Sequence, residues 1–210
     1  HGRSPAGKSA WAYTPAGYLA QFEQIRETLG AAQWLLCGQS LGAALTMRYA
    51  LEFPHRVLGQ VFTNSNSALA TEEMIRQRKL DAETAIEDIR TRGLAAVEAL
   101  RVHPRHARRL PPDSHAELLN DAALIDPQAI ADSYESLNPV ASVREHVHKL
   151  QVPTAIAVGI YEKRFQPHRE FAERAIPGIT SWEMEAGHAV NIQDAAKFNA
   201  VVPPFLAACC

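Results

Sequence analysis

Residues Gln33–Phe53 read QWLLCGQSLGAALTMRYALEF, and the order of residue types in this stretch decides the fold. The run from Gln33 to Cys37 is apolar and short, long enough for a buried strand but too short for an independent helix. Leu41 to Phe53 is rich in Ala and Leu, apolar on most sides, and stopped by Pro54. Between them stands Gly38-Gln39-Ser40-Leu41-Gly42, a G-x-S-x-G. A sharp strand-to-helix turn forces close backbone approach, which accounts for glycines two residues either side of the serine. It also lifts the Ser40 hydroxyl above the sheet. The helix N-terminus beneath it offers N–H groups and a positive dipole end, suited to a developing oxyanion. The backbone N–H of Leu41 is the expected oxyanion donor.

Working outward, the alternation of strand and helix continues. Upstream, Thr14-Pro15 predicts a helix start, with Tyr18, Leu19, Phe22, Ile25 and Leu29 at helical spacing and Gly30 as C-terminal cap. Downstream, Val57 to Thr63 predicts a second strand. Residues 68 to 148 break the rhythm: they are polar, charged and helical in pattern, with turns at Pro104, Pro111-Pro112 and Asn138-Pro139. Alternation then resumes with a strand over Thr154–Val158 and a helix over Pro167–Ile176. A strand over Ile179–Met184 and a final helix over Asp194–Val202 follow, the latter expected to stop at Pro203-Pro204. This order implies an α/β fold with a parallel sheet. Residues 1–67 and 149–210 are expected to form its core, and 68–148 a helical lid or cap. Cys37 is expected in the strand core, and Cys209-Cys210 as a frayed tail.

Composition narrows the classes. The chain has 210 residues, 47% hydrophobic and 21% charged, with 21 Lys+Arg against 23 Asp+Glu for a formal charge of −2. These values exclude a disordered or collagenous chain. No stretch reaches the ~18–20 consecutive apolar residues of a membrane span. Near-neutral charge argues against nucleic acid or an acidic membrane as partner. Three cysteines without framework spacing favour a cytoplasmic location. No His, Cys or carboxylate cluster has metal-ligand spacing, so neither metal nor cofactor is expected. The expected partner is a small-molecule substrate, and a homodimer is left open. The first Met is Met47, which suggests that the chain continues upstream of His1.

A serine hydroxyl is a poor nucleophile unless a base removes its proton. Of nine histidines, His188 stands out by position: it follows Ala186-Gly187, just past the last strand. In a parallel sheet that is the edge that also carries Ser40. The third member should be a carboxylate on the same edge, holding the imidazole in one tautomer. Glu162 is the carboxylate in the loop Gly159-Ile160-Tyr161-Glu162-Lys163-Arg164-Phe165; Asp194 is the weaker candidate. An activated hydroxyl with oxyanion stabilisation is the minimum equipment for acyl transfer.

GQSLG, the Gly159…Glu162 loop and the ending AGHAVNIQDAAKFNAVVPPFL together resemble the α/β-hydrolase superfamily over essentially the whole chain. The chain looks most like small bacterial esterases, enol-lactone hydrolases and meta-cleavage-product hydrolases, and is also similar to the menaquinone-pathway synthase of this fold. The resemblance implies the order Ser40…Glu162…His188, with Glu where Asp is commoner. It also aligns His1-Gly2-Arg3-Ser4 with a G-H-G-x-S motif after the family's fourth strand. On that alignment the first strands and the second oxyanion donor lie upstream of His1.

The implied function is a serine hydrolase cleaving an ester, lactone, thioester or activated C–C bond of a small, carboxylate-bearing molecule. The alternatives are a lyase or synthase using the same residues, and a non-catalytic binding relative. Candidate substrate contacts are Gln39, Asn64 and Arg105. Asn64 and Asn66 follow the second strand and either bind substrate or form Asx turns. Arg105 lies in the basic run Arg101, His103, Arg105, His106, Arg108, Arg109, which either receives a substrate carboxylate or forms a solvated face.

Overall fold

The computed structural model describes residues 2–210, so His1 of the His1-Gly2-Arg3-Ser4 motif lies outside the described residues. The elements run α1 (Pro15–Thr28), β1 (Trp34–Gly38), α2 (Leu41–Glu52), β2 (Val57–Thr63), α3 (Glu72–Arg92), α4 (Leu94–Ala99), α5 (Pro112–Ala122) and α6 (Pro127–Ser136). They continue β3 (Thr154–Gly159), α7 (Gln166–Ala175), β4 (Thr180–Met184), α8 (Val190–Gln193) and α9 (Ala195–Ala207). The chain forms two compact units: the residues up to Tyr18 with Glu72–Val140, and Leu19–Thr71 with Ala141–Cys210.

The second unit holds a four-stranded, all-parallel sheet in the order β1-β2-β3-β4. The central strands β2 and β3 are buried almost throughout, whereas β1 and β4 are partly exposed. Their sequences, VLGQVFT and TAIAVG, are accordingly near-continuous apolar runs, as strands covered on both faces require. Alternate side chains leave a strand on opposite faces. Val61 thus joins Ala155, Ala157, Met184, Phe198 and Val202 in one cluster, and its neighbour Phe62 is buried on the other side. Phe22, Trp34 and Tyr49 pack edge to face, with Trp34 and Tyr49 centroids 5.4 Å apart.

Thr14 caps α1 as its sequence predicts: its Oγ1 accepts from the Gly17 N–H at 3.1 Å. Gly30, at φ +64°, lies just beyond the helix end in the left-handed conformation that suits glycine. Three expectations at the chain's ends and edges are corrected. Cys37 is exposed on β1. The last helix runs through Pro203 and Pro204 to Ala207. Burial holds it together: Phe198 and Val202 enter the sheet cluster, and Phe205 stacks on Trp182 with centroids 5.5 Å apart. Cys209 is half-buried rather than frayed, with its Sγ donating to the Phe205 carbonyl at 3.3 Å.

The first unit is helical and has its own core. Ala82, Ile86 and Ile89 of α3 pack with Ala96 and Val97 of α4 and Ala131 of α6. The residues up to Tyr18, which the sequence assigns to the sheet-bearing core, cluster with these helices. A short 3-10 turn, Ala10–Tyr13, packs on α6, and the Arg3 guanidinium bonds Asp121 at 2.8 Å. No helix among the described residues is long and apolar enough to cross a membrane.

Candidate active site

Three loops at the carboxyl edge of the sheet carry the candidate residues, all within the second unit. The first is the turn from β1 into α2. Ser40 sits there with φ 53° and ψ −117°, and among the described residues it alone has a positive φ without being glycine. Such a conformation costs on the order of 1–3 kcal/mol and persists only where the surroundings enforce it. Gly38 explains the sharpness of the turn: a Cβ there would lie 2.3 Å from Thr46 Oγ1 and 2.7 Å from Ala43 Cα. Gly42 does not share that duty, since a Cβ at its position meets nothing within 4 Å. Leu41 is the first residue of α2, and among the described residues nothing accepts a hydrogen bond from its N–H.

The second loop follows β3 and carries Glu162; the third follows β4 and carries His188. Backbone bonds join them, Ile160 N–H to Met184 O at 3.1 Å and Tyr161 N–H to Ala186 O at 2.9 Å. Gly159 makes this contact feasible, for a Cβ there would stand 1.9 Å from the Gly187 carbonyl oxygen. The result is a His188 Nδ1 to Glu162 Oε2 distance of 3.0 Å. Burial pushes the Glu162 carboxyl up, but the hydrogen bond and charge of His188 and the hydrogen bonds of Asn64 and Asn66 outweigh it. The net shift is downward. An ionised carboxylate can only accept, so the Nδ1 proton resides on the ring and Nε2 is left as the base. The Ser40 hydroxyl and His188 are not hydrogen-bonded in this structure. Gln39, next to the serine, donates from Nε2 to the His188 carbonyl at 3.1 Å and so ties the first loop to the third.

The proposed substrate contacts take other roles. Gln39 holds the main chain of His188. Asn64 is fully buried: its Oδ1 accepts from the Gly159 N–H at 2.9 Å, and its Nδ2 donates to Glu162 Oε2 at 2.8 Å. Both ends of that amide are thus committed to the loop that carries Glu162. Arg105 belongs to the helical unit, where it bonds Glu98 at 3.0 Å on the exposed surface. Asp194 accepts from the Glu185 N–H at 2.9 Å and does not approach the imidazole by hydrogen bond. Two further side chains bond the main chain beside the candidate residues and have no signal in the sequence. Gln193 Oε1 accepts from the Gly187 N–H at 2.6 Å, and Ser65 Oγ donates to the Ser40 carbonyl. Neither carries a spacing signal, because its partner is distant in sequence or is a main-chain atom. Among the described residues no group of three or more His, Cys, Asp or Glu could hold a metal ion.

Comparison with known proteins bears on the fold. The profile of the alpha/beta hydrolase fold family matches residues 1–103. A Bacillus subtilis (strain 168) protein described as a candidate 2-succinyl-6-hydroxy-2,4-cyclohexadiene-1-carboxylate synthase is 22% identical over 98% of this chain and 77% of its own. The solved structure of MenH from S. aureus superposes with a TM-score of 0.86 at 16% identity, covering 100% of this chain and 80% of that one. The enol-lactonase of Burkholderia xenovorans LB400 gives a TM-score of 0.75 at 22% identity, over 99% and 77% of the two chains.

Proposed function

We propose that this chain, which has the α/β-hydrolase fold, is a serine-dependent enzyme acting on a small molecule. Its reaction begins at Ser40. His188 Nε2 takes the Ser40 proton as Oγ attacks a carbonyl carbon, and Glu162 keeps the resulting imidazolium in place. The Leu41 N–H receives the developing oxyanion. His188 then protonates the leaving group, and water, activated by the same base, hydrolyses the acyl-enzyme. The substrate class is an ester, lactone or thioester. One observation carries this reading: the Nδ1 of His188 stands 3.0 Å from the half-buried Glu162 carboxylate, with Gln39 tying that histidine to the strained serine turn.

The test is a fluorophosphonate probe, whose phosphorus bonds Ser40 Oγ as fluoride leaves. Stoichiometric labelling at Ser40, abolished in Ser40→Ala together with hydrolysis of nitrophenyl esters, is the expected result. An unlabelled protein would sink the proposal.

The similarity to MenH, at a TM-score of 0.86 against 0.75 for the enol-lactonase, favours a second reading. There His188 and Ser40 remove a substrate proton and a group is eliminated, without an acyl-enzyme. Turnover of a cyclohexadiene-type dicarboxylate with no nitrophenyl ester hydrolysis would select it.

A further inference from the structure

The three residues that leave β2, Asn64-Ser65-Asn66, touch both arms of the candidate site. β2 lies between β1, which leads to Ser40, and β3, which leads to Glu162. Residues that continue from its carboxyl end therefore emerge between the two. The three side chains divide between the two arms as the chain enters a turn. Asn64 Nδ2 donates to Glu162 Oε2 at 2.8 Å and Asn66 Nδ2 to Glu162 Oε1 at 3.1 Å. Ser65 turns the other way: its Oγ donates to the Ser40 carbonyl and accepts from the Ala68 N–H at 3.0 Å. Asn64 also donates to the carbonyls of Gly159 and Gly187, at 3.2 and 3.4 Å.

We propose that Asn64-Ser65-Asn66 is a positioning platform that sets the Ser40 turn and the Glu162 carboxylate in register with one another. Both carboxylate oxygens are held, Oε2 by Asn64 and His188 and Oε1 by Asn66. The carboxylate cannot rotate, so it presents one oxygen to the imidazole in one plane. Asn64 and Ser65 are fully buried, and a buried group released from its partner costs about 1–3 kcal/mol, which keeps the arrangement rigid. The platform is itself uncharged. It therefore braces Glu162 with donors and adds no charge beside that carboxylate. The remaining ionisable neighbours along the chain are Tyr161, Lys163 and Arg164 beside Glu162, and Glu185 and Asp194 on the histidine side. Asp194 already binds the Glu185 N–H.

The inference rests on the serine-dependent reading, and the experiment separates the two. The full chain, as wild type, Asn66→Asp, Asn66→Ser and Ser65→Ala, is reacted with a fluorophosphonate across about pH 5 to 9, where histidine titrates, with melting temperature recorded alongside. In Asn66→Asp a second carboxylate beside Glu162 favours the imidazolium, so the acid limb of the labelling rate moves up by about one pH unit. Asn66→Ser, which keeps a donor and adds no charge, retains the wild-type limb. Ser65→Ala lowers the limiting labelling rate about tenfold, with the half-saturating probe concentration unchanged, as misplacement of a reacting group predicts. A folded Asn66→Asp protein with an unmoved limb, or a Ser65→Ala protein that loses melting temperature but not rate, would overturn the platform while leaving Ser40 labelled. Should Asn66→Asp fail to fold, Ser65→Ala decides alone. An unlabelled wild type removes the reading and the platform together.

Discussion

The loops of the candidate site in the sheet-bearing unit and the surface of the helical unit use polar side chains in opposite ways. In the former, Asn64, Ser65 and Gln60 are fully buried, and the first two join specific atoms of different loops. In the latter, ion pairs such as Arg90–Glu135, Arg92–Asp88 and Arg105–Glu98 lie on the exposed surface. A buried polar group that loses its partner forfeits hydration as well, whereas an exposed ion pair exchanges a partner for water. Polar residues of the two units, similar in a sequence, should therefore respond very differently to substitution.

The largest expected effect is at Glu162. Glu162→Gln keeps the shape but removes the charge that fixes the His188 tautomer, and should lower turnover about 10⁴-fold. Steady-state kinetics check it, and a loss below tenfold would place the orienting charge elsewhere. The same variant tests pH linkage. The Glu162 carboxyl is shifted down in the folded protein by His188, Asn64 and Asn66 against the upward push of burial. Its stabilisation is thus fully present above the unfolded-state value, near 4.3, and lost as pH falls through the lower folded-state value. The stability advantage of the wild type over Glu162→Gln should shrink as urea titrations move from about pH 6 to below about pH 4.

Next in size is Gly159→Ala. A methyl group 1.9 Å from the Gly187 oxygen cannot be accommodated without separating the Glu162 and His188 loops. Overpacking of this kind costs about 1–3 kcal/mol in denaturant unfolding, and turnover should fall with it. Unchanged turnover would show that the two loops tolerate separation. The smallest effect is expected in the helical unit. Arg90→Ala should change unfolding free energy by less than about 0.5 kcal/mol. A loss of several kcal/mol there would erase the contrast between the units.

Much of the frame is legible in the residues. The strand over Val57–Thr63 matches the observed bounds, and the helix after GQSLG ends one residue before its predicted limit. Such elements are readable because their signals are local: an apolar run, a capping threonine, a stopping proline. Where a local signal competes with burial the reading fails. Pro203-Pro204 reads as a helix stop, yet packing of Phe198, Val202 and Phe205 carries α9 across it. Cys37 reads as core, yet its side chain is exposed on β1.

The site divides along the same line. The sequence alone singled out the candidate groups, Ser40 on its G-x-S-x-G turn, Glu162 and His188 past their strands, because residue type and strand order are local properties. What those groups are held by was decided only in three dimensions. Asn64 and Gln39, candidate substrate contacts on sequence, brace Glu162 and His188, and Ser65, silent in the sequence, holds the Ser40 main chain. A hydrogen bond between loops far apart in the chain depends on which strands are neighbours in the sheet. That is settled by tertiary packing, and no spacing along the chain encodes it.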